Sequence, residues 1–196
     1  NRIDSGEIIF KNINIENFNP QQRRNLSIAF VPENRLGHSA VPELTLSENI
    51  LLSQFAHNKF SKYGIIDKNY IENHTNTVIQ NFNVVTPGSD AKASSLSGGN
   101  LQKFVIGREI TSNPELLIIS HPTWGIDAGA EHSIRESLIN LSKNGTSIIV
   151  ISQDLDELIE ITHRMSVIYD GKLSKSFNTK DIDITKLGLL MGGKND

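Results

Sequence analysis

The segment SSLSGGNLQKFV, residues Ser94 to Val105, contains residue types that can bind an anion. Ser97, Gly98 and Gly99 stand immediately before a predicted helix. Glycines allow the backbone to approach a ligand closely, and the free N–H groups and dipole of a helix N-terminus favour a negatively charged group such as phosphate. Taken alone, however, the motif is more typical of a loop with a serine N-cap.

Polar side chains also stand where two predicted strands end. Ser120 and His121 follow the apolar residues of LLIISHPTWGID, and Gln153 follows those of TSIIVISQD. Ligands of parallel sheets bind at the carboxyl ends of the strands, so a site is expected there. A histidine, with a reference pKa of about 6.5, can accept a proton.

The elements that position these residues alternate between strands and helices. NLSIAFVPE, ELLIIS and TSIIVIS predict buried strands, GEIIFKNINI predicts an exposed-edge strand, and MSVIYDGKLSKSF predicts a hairpin around Asp170-Gly171. Helices are predicted in TLSENILLSQF, over Tyr70–Phe82, in LQKFVIGREITS, in GAEHSIRESLINLSK and in LDELIEITH. This alternation indicates an α/β fold with a mostly parallel, helix-covered sheet.

The chain divides into three predicted parts. Residues 1–44 begin the core lobe, residues 45–95 form a separate polar helical unit, and residues 96–196 complete the α/β lobe. Thr45 or Ser47, followed by Glu48, marks the start of the helical unit as a capping sequence.

Composition excludes several classes of function. The net charge of −3 offers no clustered positive charge for nucleic acid, and the absence of cysteine removes disulfides and thiolate chemistry. No apolar run approaches the ~20 residues that span a bilayer. We therefore expect a globular protein that does not bind nucleic acid.

Read in order, the motifs resemble the ATPases of ABC transporters. LSGGN corresponds to the signature loop, the strand ending in PTWGID to the Walker B strand and D-loop, and ISQDLDEL to the switch strand. FVPENRLGHSAVPELTLSENILL resembles the Q-loop region, with Glu33 at the usual glutamine position. The detailed sequence of these motifs is similar to that of the second, C-terminal ATPase half of tandem sugar and nucleoside importers. The resemblance implies a RecA-like P-loop NTPase lobe with an inserted helical subdomain.

The departures from the family pattern are as informative as the matches. Ser120 and His121 stand where the family has an aspartate that helps to hold Mg²⁺ and a glutamate that polarises the attacking water. Gln153 replaces the switch histidine. The Walker A loop, which cradles the phosphates, should precede the DSGEI segment, and we expect it upstream of Asn1 in a longer polypeptide. The resemblance therefore implies a degenerate nucleotide site in this half.

The intact signature loop implies a different role. In this family each signature loop completes the nucleotide site of a partner half, so the resemblance assigns trans contacts with ATP to Ser97, Gly98, Gly99, Asn100 and Gln102. Asp127 is the implied D-loop residue at the seam between the halves. ATP and Mg²⁺ are the implied cofactors of the full-length protein, with neither expected on this fragment, which should not hydrolyse ATP by itself.

The implied partners are the other ATPase half of the same polypeptide and the transmembrane permease subunits, at the cytoplasmic face of the cell membrane. Phe55, Tyr63 and Ile65 are candidates for contact with a permease helix. Self-association of the fragment is also expected. Two alternatives remain open: a slow but active ATPase half in which His121 serves as the base, and a non-transport ABC protein acting as an interaction module.

Overall fold

A three-stranded parallel sheet forms the centre of the first of two units in the computed structural model, which describes residues 3–55, 60–62 and 65–193. The units are Asn1–Ile151 and Ser152–Asp196. The strands of the first unit are β1 (Ile9–Phe10), β2 (Ile13–Asn14), β3 (Ile28–Val31), β4 (Ser61–Lys62), β5 (Ile65–Ile66), β6 (Leu116–Ser120) and β7 (Ser147–Ile151). Its helices are α1 (Pro20–Asn25), α2 (Leu46–Gln54), α3 (Lys68–Asn81), α4 (Gly98–Thr111) and α5 (Ala128–Lys143).

The parallel sheet has the strand order β3-β6-β7, as the alternation of strands and helices predicts. Phe30 of β3 pairs with Ile118 of β6, which pairs with Ile149 of β7. The three strands run in the same direction, so they end at one edge of the sheet. The loops that follow β3 and β6 therefore lie side by side, and these loops carry the predicted site residues.

One face of this sheet is deeply buried at β3 and β6, whereas β7 is less covered. Alternate residues of β3 and β6, such as Val31 and Leu117, are 1% and 0% exposed, whereas Ile149 and Ile151 of β7 are 50% and 48% exposed. The prediction that TSIIVIS is a buried strand is thus wrong: one face of β7 is exposed, and the residues on its other face are only half-buried. Successive side chains of a strand point to opposite faces, and an apolar run in the sequence does not show which face is covered.

The segment GEIIFKNINI also differs from its prediction, because it forms a short hairpin rather than one strand. β1 and β2 pair antiparallel, and the linking residues Lys11 and Asn12 have positive φ angles of 49° and 64°. Two adjacent residues in this conformation form the tight turn that matches the twist of paired strands. Apolar residues stand on both sides of Lys11 and Asn12, so the segment also fits a single continuous strand and its turn is easily missed.

The helix α4 is the core of the first unit. It packs against α3, α5 and β3, and Leu101, Phe104, Val105 and Ile106 are at most 2% exposed. Apolar burial on several sides is typical of a central helix rather than a surface helix. The helix α2 begins at the predicted capping sequence, with Thr45 as N-cap and a reciprocal bond to Glu48.

The second unit is small and is described by itself. It contains α6 (Leu155–Ile161), β8 (Arg164–Met165), β9 (Ile168–Tyr169), β10 (Lys172–Leu173), β11 (Phe177–Asn178) and α7 (Ile184–Met191). The predicted hairpin is confirmed: β9 pairs with β10, and Asp170 and Gly171 have φ angles of 46° and 70°. The division of the chain at residues 44 and 95 stays a prediction.

Candidate functional site

The signature-like segment forms the start of α4, as predicted. Ser97 is the N-cap, and its Oγ accepts hydrogen bonds from the Asn100 backbone N–H at 3.4 Å and from Asn100 Nδ2 at 3.0 Å. The Asn100 side chain in turn accepts a bond from the Val85 N–H at 2.8 Å. Ser97 and Gly98 are exposed, so the N-terminal turn of this buried helix faces solvent. An exposed helix start of this kind can receive an anion.

Gln102 is directed into the protein rather than toward solvent. Gln102 is 2% exposed. Its Nε2 donates to the carbonyl oxygen of Pro122 at 3.0 Å and to the carbonyl oxygen of His121 at 3.5 Å. Gln102 thereby fixes α4 against the loop that follows β6. Its contact with a nucleotide stays a prediction, and its contact in the structure is with this loop.

The loop following β6 begins with a tight turn. His121 has a φ of 48°, its N–H donates to Ile151 O at 2.8 Å, and its ring meets the Trp124 ring edge-on with centroids 5.6 Å apart. Trp124 itself is 66% exposed. Ser120, the last residue of β6, is half-buried. A residue in this left-handed backbone region is held there by its surroundings.

Asp127 ends the loop and caps α5. Its Oδ1 accepts a hydrogen bond from the Ala130 N–H at 2.9 Å, and its Oδ2 lies 3.9 Å from Lys103 Nζ on α4. The bond from Ala130 is the main reason that the pKa of Asp127 lies below its usual value; desolvation opposes it, and the charge of Lys103 adds a further lowering. The carboxylate is therefore ionised at neutral pH and stabilises the helix start.

Sequence reasoning missed Arg35, which lies in the loop following β3. Its guanidinium donates to the carbonyl oxygen of Trp124. It also lies so close to the start of α4 that a Cβ at Gly98 would be 2.9 Å from Nη1. Burial lowers the pKa of Arg35. The signal that points to it is positional, because the ends of the neighbouring strands β3 and β6 meet at one edge of the sheet.

A buried charge cluster anchors the other end of α4. Arg108 and Glu109 are 3% and 1% exposed, and the Glu109 carboxylate accepts bonds from Arg108 Nε at 2.9 Å and Arg24 Nη1 at 3.0 Å. Arg108 Nη2 donates to Ser39 O at 2.8 Å. Desolvation lowers the pKa of Arg108, and Glu109 opposes that effect. These bonds fix α4 relative to α1 and to the loop that contains Ser39.

All the remaining predicted site residues that the structure describes are exposed. Glu33 is exposed at the beginning of the loop that contains Arg35, and Gln153 is exposed in the second unit, just before α6. Phe55 and Ile65 are 55% and 74% exposed, whereas Tyr63 lies outside the described residues. The structure thus brings together the start of α4, Gln102, the loop from His121 to Asp127, and Arg35. These residues form the contact region.

The residues at the end of β6 do not fit a magnesium ion. Mg²⁺ prefers carboxylate and other oxygen ligands, whereas Ser120 and His121 supply one hydroxyl and one imidazole. Within residues 3–55, 60–62 and 65–193, no three histidine, aspartate or glutamate side chains are grouped so as to hold a metal.

Helices able to cross a bilayer are also absent from that part of the chain, since none there is both long and apolar enough.

Solved structures share this fold. The post-hydrolysis dimer of the ATP-binding cassette MJ0796 bound to ADP and Pi superposes with a TM-score of 0.75 at 20% identity, covering 91% of this chain and 75% of that one. The ATP-binding cassette MJ1267 gives a TM-score of 0.73 at 20% identity, covering 97% of this chain and 77% of that one. The predicted RecA-like P-loop fold is confirmed.

Sequence comparison identifies the family. The chain is 40% identical over 194 residues to the nucleoside import ATP-binding protein NupA of Lactococcus lactis subsp. cremoris, covering 99% of this chain and 38% of that protein. It is 36% identical over 176 residues to the galactose/methyl galactoside import ATP-binding protein MglA of Escherichia coli K12, covering 90% of this chain and 35% of that protein. The chain thus spans well under half the length of these relatives. Residues 1–124 match the ABC transporter family model. As the order of motifs predicts, the chain belongs to the ABC transporter family.

Proposed function

We propose that this chain is the C-terminal part of the ATP-binding subunit of an ABC importer for simple sugars or nucleosides. Two observations support the importer branch: relatives named as nucleoside and sugar import proteins align over 90% or more of the chain, and the match runs through all the motifs. The subunit would act at the cytoplasmic face of the membrane, together with permease subunits and the other ATPase half of the same polypeptide.

In this proposal, the half supplies its signature loop to the nucleotide site of its partner. The observation that carries the proposal is the exposed N-terminus of α4. Ser97 and Gly98 face solvent there, whereas the rest of the helix is largely buried. Helix N–H groups fixed in this way stabilise developing negative charge on a phosphate, because they need not reorganise during the reaction. Asp127, close to the same helix start, would lie at the seam between the halves.

The half's own site is proposed to be degenerate. Ser120 offers no negative charge for a metal, and the backbone of His121 is part of a tight turn whose N–H is bonded to Ile151. ATP hydrolysis would then occur in the composite site that contains this half's signature loop. In the competing proposal, His121 serves as a base for slow turnover in this half's own site. Substitution of His121 distinguishes the two proposals.

The test uses the full-length subunit with its permease, and compares Ser97→Arg with His121→Ala. Ser97→Arg places a bulky side chain where the phosphate would approach, so we expect kcat for ATP hydrolysis to fall about a hundredfold. His121→Ala should leave kcat unchanged. Ser94→Arg is the matched control, because Ser94 is exposed three residues earlier, and it should also leave kcat unchanged.

The opposite pattern would reject the proposal. If His121→Ala abolished hydrolysis while Ser97→Arg did not, this half would turn over ATP itself. If neither variant differed from the Ser94→Arg control, the signature loop of this half would have no part in hydrolysis.

A further inference from the structure

Arg35 joins three segments that are distant in sequence. From the loop following β3, its guanidinium reaches the Trp124 carbonyl oxygen. It also lies against the start of α4, where a Cβ at Gly98 would be 2.9 Å from Nη1, and against the residue after Trp124, where a Cβ at Gly125 would be 3.5 Å from Nη2. No substituent larger than hydrogen fits at Gly98 unless the guanidinium moves.

The loop that carries Arg35 is held by its own hydrogen bonds. The carbonyl oxygen of Arg35 accepts a bond from the Ala40 N–H at 2.8 Å, and the Gly37 N–H donates to Ala40 O at 2.8 Å. Ser39 Oγ donates to Asn34 O at 3.0 Å. Several short-range bonds within eight residues make the loop move as one piece, so a displacement of its exposed part would also displace the Arg35 side chain.

The same loop contacts α4 at two points along the helix. Near its start, Arg35 lies against Gly98; near its end, Arg108 donates to Ser39 O at 2.8 Å. Both contacts are made by guanidinium groups, whose planar donors hold a defined orientation. The loop is therefore coupled to the whole helix rather than to one residue of it.

Charge argues against a purely local stabilising role for Arg35. A cation beside a helix N-terminus faces the positive end of the helix dipole, which is unfavourable for the helix alone. The bond to the Trp124 carbonyl oxygen offsets this cost, and that bond belongs to the neighbouring loop. The position of Arg35 is thus best explained by its contacts with the Trp124 carbonyl oxygen and the start of α4.

We propose that Arg35 is a positioning residue that couples the loop following β3 to the start of α4 and to the Trp124–Asp127 loop. A shift of the exposed loop, which carries Glu33, would then change the placement of the Ser97–Gly99 anion-binding turn. The consequence for ATP hydrolysis rests on the proposed function, whereas the physical coupling does not.

The test introduces Arg35→Met and Arg35→Lys into the full-length subunit with its permease. Arg35→Met keeps an unbranched apolar stem but is shorter and removes every donor, and Arg35→Lys keeps the charge without the planar fork. Arg164→Met is the matched control, since Arg164 is an exposed arginine whose Nε donates to a nearby hydroxyl, that of Ser176. Amide hydrogen exchange reports the coupling, and the dependence of hydrolysis on Mg-ATP concentration reports its effect.

For Arg35→Met we expect about tenfold faster exchange in both residues 96–101 and residues 124–127, from the loss of charge-assisted bonds. We expect kcat to fall between about ten- and a hundredfold with little change in KM for ATP, because a misplaced turn affects the reaction more than nucleotide capture. Arg35→Lys should show smaller changes than Arg35→Met in both amide exchange and kcat. The Arg164→Met control should show neither.

Two results would overturn the coupling: exchange that stays unchanged in either segment, or a kcat that stays unchanged while Ser97→Arg abolishes hydrolysis. A loss of folded protein with normal kcat per active molecule would also count against it, because a purely structural residue would behave in that way. If Ser97→Arg had no effect either, the proposed function would fail, and the exchange data would still decide whether Arg35 links the two segments.

Discussion

At the scale of single residues, the contact region depends on side chains that bind backbone groups of other segments. Gln102 holds the carbonyl oxygens of the loop after β6, Arg35 holds that of Trp124, and Asp127 caps α5. Each of these side chains adds a hydrogen bond to a loop carbonyl oxygen or to a helix-end N–H group. Apolar packing places α4, and these bonds set the positions of the loops around its start.

Asp127 makes a pH-dependent contribution to stability. Its folded-state pKa is depressed, so the contribution is fully present above the unfolded value of 3.8 and is lost as the pH falls through the lower folded value. Asp127→Asn keeps a capping acceptor but removes the charge. We expect a lower urea midpoint for this variant at neutral pH and equal midpoints well below the folded pKa. A difference that persisted in acid would show that the charge is not responsible.

At the scale of elements, α4 is held along its whole length. Ser97 caps its start, Gln102 binds the loop after β6, and the Arg108–Glu109 cluster anchors its end. Just before that cluster, Gly107 lies against the Phe82 ring at the end of α3. A glycine in the middle of a helix is locally unfavourable, and here it allows two helices to approach closely.

Gly107→Ala tests this close approach. A Cβ at Gly107 would lie 2.5 Å from Phe82 Cδ2, so the ring or the helix must move. Overpacking costs about 1–3 kcal/mol, which outweighs the helix propensity gain of about 0.5–1 kcal/mol, and we expect a net loss of about 1–2 kcal/mol in urea unfolding.

Gly188→Ala is the matched control for this substitution. A Cβ at Gly188, in α7, meets nothing within 4 Å, and we expect a gain of about 0.5–1 kcal/mol in the unfolding free energy. If Gly107→Ala proved as stabilising as Gly188→Ala, the α3–α4 contact would not be close-packed.

At the scale of the whole molecule, one face of the central sheet of the first unit carries exposed apolar residues. Phe30, Ile149 and Ile151 are 49%, 50% and 48% exposed, and Phe30 and Ile149 lie in one row across the sheet through Ile118. Contiguous exposed apolar surface favours association in water. The two units are compact separately, so this face is a property of the first unit.

We expect the 196-residue chain to self-associate through this sheet face. Ile149→Lys places a charge at the β7 end of the apolar row, and the weight-average mass measured by light scattering at high protein concentration should fall toward that of a monomer. Ile168→Lys is the control, because Ile168 is 71% exposed in the second unit, outside the row. A strict monomer for the unsubstituted chain would contradict the prediction.

The sequence by itself determined the family, the parallel sheet and the elements that carry the motifs. It could do so because strand and helix periodicity, capping residues such as Thr45 and Ser97, and the order of motifs are local properties of the chain. The same locality explains the errors: the apolar residues that flank Lys11-Asn12 fit one strand as well as two, and the apolar run of β7 does not reveal how little of that strand is covered.

Only the tertiary structure decided how the loops meet at the start of α4. Arg35 contacts the Trp124 carbonyl oxygen 89 positions along the chain, and Arg108 contacts that of Ser39 at a separation of 69. Neither contact follows from spacing, because both depend on β3 pairing with β6 and on the burial of α4 between helices and sheet. Side-chain bonds to distant backbone groups are specified by packing, which brings those groups within reach after the elements have formed.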